Sequence, residues 1–210
     1  MRWTDQSPVL PVQSLAALAE REPDLHELLR AVAPGSGLLV AVSAVAVETV
    51  LRHLAEHPDE QGGLLLGEAY AEDKDPARSR ALRVTQAVPA QDFASSGVSL
   101  RMASGVWDDA RARLGPQELV VGWYHSHPGL GAFFSHTDRR TQRAFFPHAY
   151  SVGWVVDPLR GESEWFVGPD STPPGQLAYG VVAGGETGAG GSAGTVAGAP
   201  GAGDDGAGPR

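Results

Sequence analysis

The stretch that decides the fold is residues 118–138, which read ELVVGWYHSHPGLGAFFSHTD. The first half alternates apolar and other residues with a period of two, which is typical of a β-strand. On a strand, His125 and His127 point to the same side of the sheet, whereas helical spacing would turn them about 200° apart. We therefore predict a strand that ends at Pro128, a glycine-rich turn, and a helix near Asp138. The alternation places five side chains on one face: Leu119, Val121, Trp123, His125 and His127.

The sequence around this stretch predicts an α/β domain over residues 37–168. In chain order the predicted elements are strand, helix, two strands, helix, strand, helix and two strands. Ser43 is placed to cap the first helix, and His57 precedes the proline that ends it. The predicted strands are 38–42, 62–68, 81–88, 118–127, 151–156 and 162–167, and the later helices are 100–114 and 138–146. The fold class is a single domain whose mixed sheet is flanked by helices.

Two flanking segments differ from this domain in composition. Residues 1–36 predict an N-terminal helical extension, because leucines recur at helical spacing over residues 14–33 and Pro23 suits the first turn of a second helix. Residues 169–210 are rich in Pro, Gly and Ala and have too little apolar bulk to offset the entropy of ordering. We therefore expect a largely disordered tail there.

Composition excludes several classes of protein. The chain has 16 Lys and Arg against 25 Asp and Glu, a formal charge of −9, which disfavours nucleic acid as a partner. The absence of cysteine excludes disulfides, iron–sulfur clusters, Cys-ligated zinc and a Cys nucleophile. No stretch approaches the roughly 20 apolar residues of a membrane span, and the N-terminus lacks the pattern of a signal peptide. We expect a cytoplasmic protein without membrane or nucleic-acid partners.

Three residues in the deciding stretch are candidate metal ligands: His125, His127 and Asp138. Two histidines and one carboxylate leave a fourth tetrahedral position open for water, which is the arrangement of catalytic zinc. Zinc lowers the pKa of such a water to about 7. Spacing alone leaves an alternative open, in which these are ordinary core or surface side chains.

Taken together, the motifs resemble those of a known family. The HSHP of residues 125–128, followed by Ser135 and Asp138, resembles the JAMM motif of the MPN domain, found in the Mov34/PAD-1 metallopeptidases. Residues 60–67, EQGGLLLG, are similar to the Glu-x-x-Gly-x-Leu-x-Gly pattern of that family. The predicted strand order and the extent of residues 37–168 also agree with it.

The resemblance implies a zinc-dependent hydrolase of peptide or isopeptide bonds. It implies one catalytic zinc ion, held by His125, His127 and Asp138. It further implies Glu60 as the general base and Ser135 as the donor that stabilises the oxyanion. From the residues alone, Glu60 is one solvated acid among several in its stretch, and Ser135 is a helix N-cap.

The resemblance also bears on partners. The loop at residues 69–80 is short and lacks a Cys- or His-rich insertion, which makes the chain more similar to compact bacterial members of the family. Their substrates include ubiquitin-like and sulfur-carrier proteins, so we expect a substrate of that kind, cleaved at its C-terminus. Two alternatives remain open: a non-catalytic MPN interaction module in an oligomeric assembly, and a peptidase acting on cell-wall peptides. The apolar helices of residues 14–33 leave a homo-oligomer open.

The remaining histidines and the aromatic residues of the strands are interpreted as structural. His136 lies inside the motif but is expected outside the ligand set. No chemistry is assigned to the other four histidines, which are His26, His53, His57 and His148. Trp123 and Trp154 are predicted to lie in the core of the sheet, and Tyr124 to pack on the face opposite the ligands.

Overall fold

The computed structural model describes residues 10–32, 38–56, 58–91, 93–96, 99–102, 104–172 and 181–184. The helices are α1 (Leu15–Arg21), α2 (Pro23–Val32), α3 (Ala44–Ala55), α4 (Ser104–Arg113) and α5 (His136–Phe145). The strands are β1 (Gln13–Ser14), β2 (Leu39–Ser43), β3 (Gly62–Ala71), β4 (Ser79–Pro89), β5 (Phe93–Ser96), β6 (Ser99–Met102), β7 (Leu119–Ser126), β8 (Val152–Asp157), β9 (Glu162–Val167) and β10 (Val181–Gly184).

Eight of the described strands form one mixed sheet, which confirms the predicted fold class. The strand order is β10-β2-β4-β3-β7-β8-β9, and β1 pairs with the end of β3. The central strand β3 runs antiparallel to both β4 and β7, whereas β7 and β8 are parallel. The remaining two strands, β5 and β6, form a separate hairpin.

Helices cover both faces of the sheet. The Oγ of Ser43 caps α3 as predicted, accepting a hydrogen bond from the Ala46 amide at 3.1 Å. Val50 and Leu54 of α3 are buried in one core cluster with the face of the sheet that carries Tyr124. On the other face, α4 and the end of α5 pack in a second cluster around Trp123.

None of the described helices is both long enough and apolar enough to cross a bilayer.

A β-bulge in β7 changes which side chains share a face. Leu65 of β3 pairs with Gly122 and Leu66 pairs with Val120, so Val121 is an extra residue in β7. One extra residue reverses the alternation of side chains along a strand. Leu119 and Val121 consequently belong to the cluster with α3, whereas Trp123 belongs to the opposite cluster. The prediction that Leu119 and Val121 share a face with His125 is therefore wrong.

Helix α4 begins later than predicted. The sequence pattern favoured a helix over residues 100–114, but Ser99–Met102 pairs with β5 as a strand and the helix begins at Ser104. Methionine and leucine suit either structure, so spacing alone did not separate the strand from the helix.

The N-terminal helices dock on the domain at the end of β3 that lies away from His125. Leu18 and Leu29 are buried against Tyr70 and other residues of the sheet. Strand β1 pairs with Tyr70, whereas His125 pairs with Gly62 at the other end of β3. At about 3.3 Å per residue, these two positions are about 26 Å apart along the strand.

A buried carboxylate anchors this extension. Glu68 accepts hydrogen bonds from Arg21 of α1 at 2.9 Å and from the Tyr70 hydroxyl at 2.6 Å. Burial of Glu68 favours its neutral form, but the bonds from Tyr70 and Arg21 outweigh burial and lower its pKa. A group with a lowered pKa in the folded state stabilises the fold above its ordinary pKa and loses that contribution as the pH falls.

Glu68→Gln is expected to lower the free energy of unfolding at pH 7 by about 1–3 kcal/mol, the usual cost of losing hydrogen bonds to a charged group. The difference from wild type should shrink as the pH drops below the ordinary value of 4.5. Urea unfolding at several pH values measures this. Glu56→Gln, at an exposed position, is the control and should show no such loss; a difference that is constant with pH would contradict the assignment.

The segment expected to be a largely disordered tail, residues 169–210, differs from the structure at two points. Ser171 is buried and Thr172 forms a bridge with Val167 at the end of β9. Val181–Gly184 forms β10, which pairs in parallel with β2 at the edge of the sheet. Its two valines are β-branched and suit a strand, and β2 offers them an unpaired edge. Residues 173–180 and 185–210 lie outside the described residues.

Candidate metal centre

Two elements bring the predicted ligands together. His125 is near the end of β7 and His127 follows directly after it, while Asp138 occupies the first turn of α5. The Nε2 atoms of His125 and His127 are 3.2 Å apart. Asp138 places Oδ1 at 3.4 Å from His125 Nε2 and Oδ2 at 3.5 Å from His127 Nε2. All three side chains are buried.

These distances fit a tetrahedral metal ion. Ligand atoms bound to zinc at about 2.0–2.1 Å in a tetrahedron are about 3.3–3.4 Å apart. The two imidazole nitrogens are 3.2 Å apart, close to that value, and each has a different oxygen of Asp138 at a similar distance, Oδ1 at 3.4 Å from His125 and Oδ2 at 3.5 Å from His127. Two imidazole nitrogens and a carboxylate are also ligands that zinc accepts. The donor set therefore fits a zinc ion with one further position open.

Electrostatics favour the protonation state that a metal requires at two of the three candidate ligands, His125 and Asp138. Burial lowers the pKa of His125 and so favours the neutral ring. Burial also opposes the charge on Asp138, but its bonds with His125, His127 and Ser135 hold its pKa well below the ordinary value. Burial alone would lower the pKa of His127, yet Asp138 and Glu60 outweigh it and raise that pKa. Metal ligation needs neutral histidine and ionised carboxylate, which His125 and Asp138 provide.

The N-terminus of α5 orients Asp138. Ser135 is the N-cap, and its Oγ accepts a hydrogen bond from the Asp138 amide at 3.2 Å. In return, Asp138 Oδ2 accepts a bond from the Ser135 amide at 2.7 Å, which completes a capping box. Because the Ser135 hydroxyl is an acceptor in this contact, its own hydrogen stays available to a further partner.

Glu60 lies next to His127 on the solvent-accessible side of the site. Its Oε1 is 4.0 Å from His127 Nε2, and its side chain is partly exposed. The segment that carries it is held to β7 by two bonds, from the Ser126 amide to the Gln61 carbonyl at 2.8 Å and from the Gln61 amide to Ser126 Oγ at 3.0 Å. The structure thus brings Glu60 beside His127, one of the three candidate ligands.

The Trp123 ring packs against one face of the His125 ring. The two rings stack with centroids 4.4 Å apart and an angle of 7°. The Trp123 indole donates to Gln142 Oε1 at 2.6 Å, and Gln142 Nε2 donates to the Ser151 and Gly168 carbonyls. Sequence analysis did not single out Gln142, although it follows Asp138 by four residues and thus shares its face of α5.

Among the described residues, no other histidine belongs to this cluster. His136 is exposed at the start of α5, and the group of possible metal ligands found in the described part of the chain consists of His125, His127 and Asp138. His53 is buried and its Nδ1 lies 2.9 Å from the Tyr124 hydroxyl, on the face opposite the ligands. His57 lies outside the described residues. Trp154 stacks on Trp165 inside the core, as expected of a sheet residue.

Exposed apolar side chains border the centre. Leu130 and Phe133, in the loop between β7 and α5, are 62% and 46% exposed. Leu159, in the turn between β8 and β9, is 76% exposed and approaches the same loop at Gly129. The Phe133 ring lies 4.9 Å from the His127 ring. We refer to Leu130, Phe133 and Leu159 as the apolar rim.

Comparison with known proteins identifies a family and several relatives of this chain. A family model described as prokaryotic homologues of the JAB domain matches residues 43–167. The 26S proteasome regulatory subunit rpn11 of Schizosaccharomyces pombe is 35% identical over 156 residues, which cover 65% of this chain and 47% of that protein. The ubiquitin carboxyl-terminal hydrolase RPN11 of Saccharomyces cerevisiae is 35% identical over 127 residues, or 58% of this chain and 39% of that protein. The chain thus spans less than half the length of both.

A solved structure shares the fold. The solution structure of protein DSY2949 from Desulfitobacterium hafniense matches with a TM-score of 0.50 and 20% identity, covering 70% of this chain and 96% of that one. At this identity the likeness concerns the fold alone.

Proposed function

The chain belongs to the family of prokaryotic homologues of the JAB domain, the MPN or JAMM family, and we propose that it is a zinc-dependent peptidase. In this proposal it hydrolyses a peptide or isopeptide bond at the C-terminus of a ubiquitin-like or sulfur-carrier protein. The observation that carries the proposal is the buried cluster of His125, His127 and Asp138, whose possible ligand atoms lie close enough together to share one ion.

Each of the five candidate site residues has a role in this proposal. His125, His127 and Asp138 would hold the ion, which when bound would supply a Lewis acid and lower the pKa of an attacking water to about 7. Glu60 takes a proton from the attacking water and returns it to the leaving nitrogen. Ser135 donates the hydrogen of its hydroxyl to the oxyanion of the substrate carbonyl.

Two features support a protein tail as the substrate. A relative that is 35% identical is named a ubiquitin carboxyl-terminal hydrolase. The apolar rim offers contact to apolar side chains of an extended segment that enters the site, because Leu130 and Phe133 are exposed in the loop after His127 and Leu159 is exposed beside that loop. The compact folded domain of such a substrate would stay outside the site while its extended tail enters.

The test uses the full chain and matched substrates. Fusions that carry a reporter behind the C-terminus of a ubiquitin-like protein or a sulfur carrier, together with an isopeptide-linked ubiquitin dimer, are incubated with the zinc-loaded protein. We expect cleavage of at least one, loss of cleavage with a chelator, and recovery with added zinc. Stoichiometric zinc without cleavage of any of them would favour the non-catalytic module instead.

Ser135→Ala is expected to lower kcat and kcat/KM together by about 10²–10³-fold, since loss of one oxyanion donor removes stabilisation found only in the transition state. Loss of the cap should also cost about 1 kcal/mol of stability. Steady-state kinetics and thermal unfolding measure the two effects separately.

The matched control for this prediction is Ser43→Ala, which removes the corresponding N-cap from α3 on the other face of the sheet. It should lower stability without lowering kcat at a temperature where the variant stays folded. Equal kinetics in Ser135→Ala and wild type would leave Ser135 as a cap alone. Zinc content should be unchanged in both variants.

A further inference from the structure

The loop after His127 has an unusual backbone. Gly129 and Gly131 have φ angles of +77° and +93°, a region where a side chain is strained. Between them, the Leu130 amide donates to the His127 carbonyl at 3.1 Å. The loop therefore turns tightly directly after a candidate ligand, and this conformation directs the amides of both glycines to one acceptor.

That acceptor is Asp157, the last residue of β8. Its Oδ1 accepts from the Gly129 amide at 2.9 Å, and its Oδ2 accepts from the Gly131 amide at 2.7 Å. Oδ1 also accepts from the amides of Leu159 and Arg160 at 3.0 and 3.1 Å. The side chain of Asp157 has 0% exposure. One carboxylate thus joins the loop after His127 to the turn between β8 and β9.

Backbone groups alone balance this buried charge. Among the described residues, no Lys, Arg or His side chain forms an ion pair with Asp157. Burial opposes its ionisation, but the four amides lower its pKa below the ordinary value. An asparagine has one acceptor oxygen in place of two and would point an N–H₂ group at some of the amides. The pattern of four donors therefore requires a carboxylate.

His127 is held on both sides by this arrangement. Its own amide donates to the carbonyl of Val156, the neighbour of Asp157, at 3.0 Å. The residues that follow it are bound to the Asp157 side chain. Any loss of these bonds frees the loop to move relative to β8, and with it the His127 ring that must meet the ion within a few tenths of an ångström.

We propose that Asp157 is a positioning residue of the metal centre, which sets the place of His127 and thereby the geometry and affinity of metal binding. The proposal rests on the proposed function for the identity of the ion as zinc. Asp157 acts through the position of His127, without touching the metal or the substrate. It also links the two loops that carry Leu130 and Leu159, so the apolar rim depends on the same carboxylate.

The test is Asp157→Asn in the full chain. We expect zinc affinity, measured by competition with a chromogenic chelator, to fall about 10–100-fold, as is typical when a group that orients a ligand is lost. With cobalt in place of zinc, the visible absorption bands should change in position or intensity, because they report the geometry of the ligands. An unchanged affinity and an unchanged cobalt spectrum would overturn the proposal.

Two controls separate positioning from stability. Asp75→Asn alters a turn acid that accepts from the Ala77 amide at 3.0 Å and is distant from the site. Val50→Ala removes buried volume from α3 and lowers stability without touching the loop. Both should keep the wild-type cobalt spectrum and zinc affinity. If Val50→Ala weakens zinc binding as much as Asp157→Asn does, the effect is general destabilisation and the proposal is wrong.

A second variant covers the case in which Asp157→Asn does not fold. Gly131→Ala strains the backbone at φ +93° and displaces one donor while the carboxylate stays. It should shift the cobalt spectrum in the same direction to a smaller extent, and a wild-type spectrum would count against the proposal. Failure of the proposed function gives a different result, since wild-type protein would then bind zinc at this site without cleaving any substrate.

Discussion

His125→Ala is expected to remove the bound zinc and all peptidase activity. The ring is fully buried, and its Nε2 lies 3.2 Å from His127 Nε2 and 3.4 Å from Asp138 Oδ1. Removing one of three protein ligands leaves two, and two ligands bind zinc too weakly to retain it in the presence of ordinary buffers and chelators. Elemental analysis of the purified variant measures the metal, and the fusion-cleavage assay measures activity.

The control for this prediction is His136→Ala. His136 lies in the same motif at the exposed start of α5, outside the ligand group. It should keep stoichiometric zinc and near wild-type turnover. Full zinc retention in both His125→Ala and His127→Ala would show that the ion binds elsewhere and would remove the basis of the proposed function.

The clustering of the three candidate ligands could be predicted because their positions follow from local rules, although spacing alone left open whether they bind a metal. The His-x-His spacing places two rings on one side of a strand, and Ser135 with Asp138 matches the pattern of a capping box at the start of a helix. Both patterns lie within a few residues of sequence. The two elements are also close in sequence, since one short loop connects β7 to α5, so their meeting needed no distant pairing.

Glu60 could not be chosen from the residues alone. It lies in a stretch with several acids, and what distinguishes it is the pairing of Gly62 with His125, two residues that are far apart in sequence. The same holds for Glu68, whose partner Arg21 lies in another element. No local pattern states which strand lies beside which, and the resemblance to a known family supplied that information for Glu60.

Gln142 and Asp157 were missed for a related reason. Both are buried polar residues that bind backbone groups or an indole of other segments, and sequence patterns assign such residues to a helix face or a turn. Asp157 precedes Pro158 and a glycine turn, so it appears as an ordinary turn residue. Only the structure shows that two of its four donors belong to the loop after His127. The bulge at Val121 was likewise invisible, because alternation predicts an unbroken strand.

Glu60→Gln is expected to keep the fold and the zinc but to lower kcat by about 10²–10⁴-fold, the usual contribution of a general acid–base group. Glutamine has the size and shape of glutamate but does not accept a proton at neutral pH. Glu60 is not one of the three proposed ligands, and its Oε1 lies 4.0 Å from His127 Nε2. Metal content, thermal unfolding and single-turnover kinetics together separate loss of chemistry from loss of metal.

Two neighbouring acids provide matched controls for this substitution. Glu56→Gln changes an exposed acid just after α3 and should leave turnover unchanged. Glu68→Gln changes the buried anchor of Arg21 at the far part of β3, so it should lower stability and leave turnover of the folded enzyme unchanged. Normal turnover in Glu60→Gln, or loss of turnover in folded Glu68→Gln, would contradict the assignment of the base. Because all three variants remove one carboxylate charge from the same stretch, a defect confined to Glu60→Gln comes from its position beside the ligands and not from net charge.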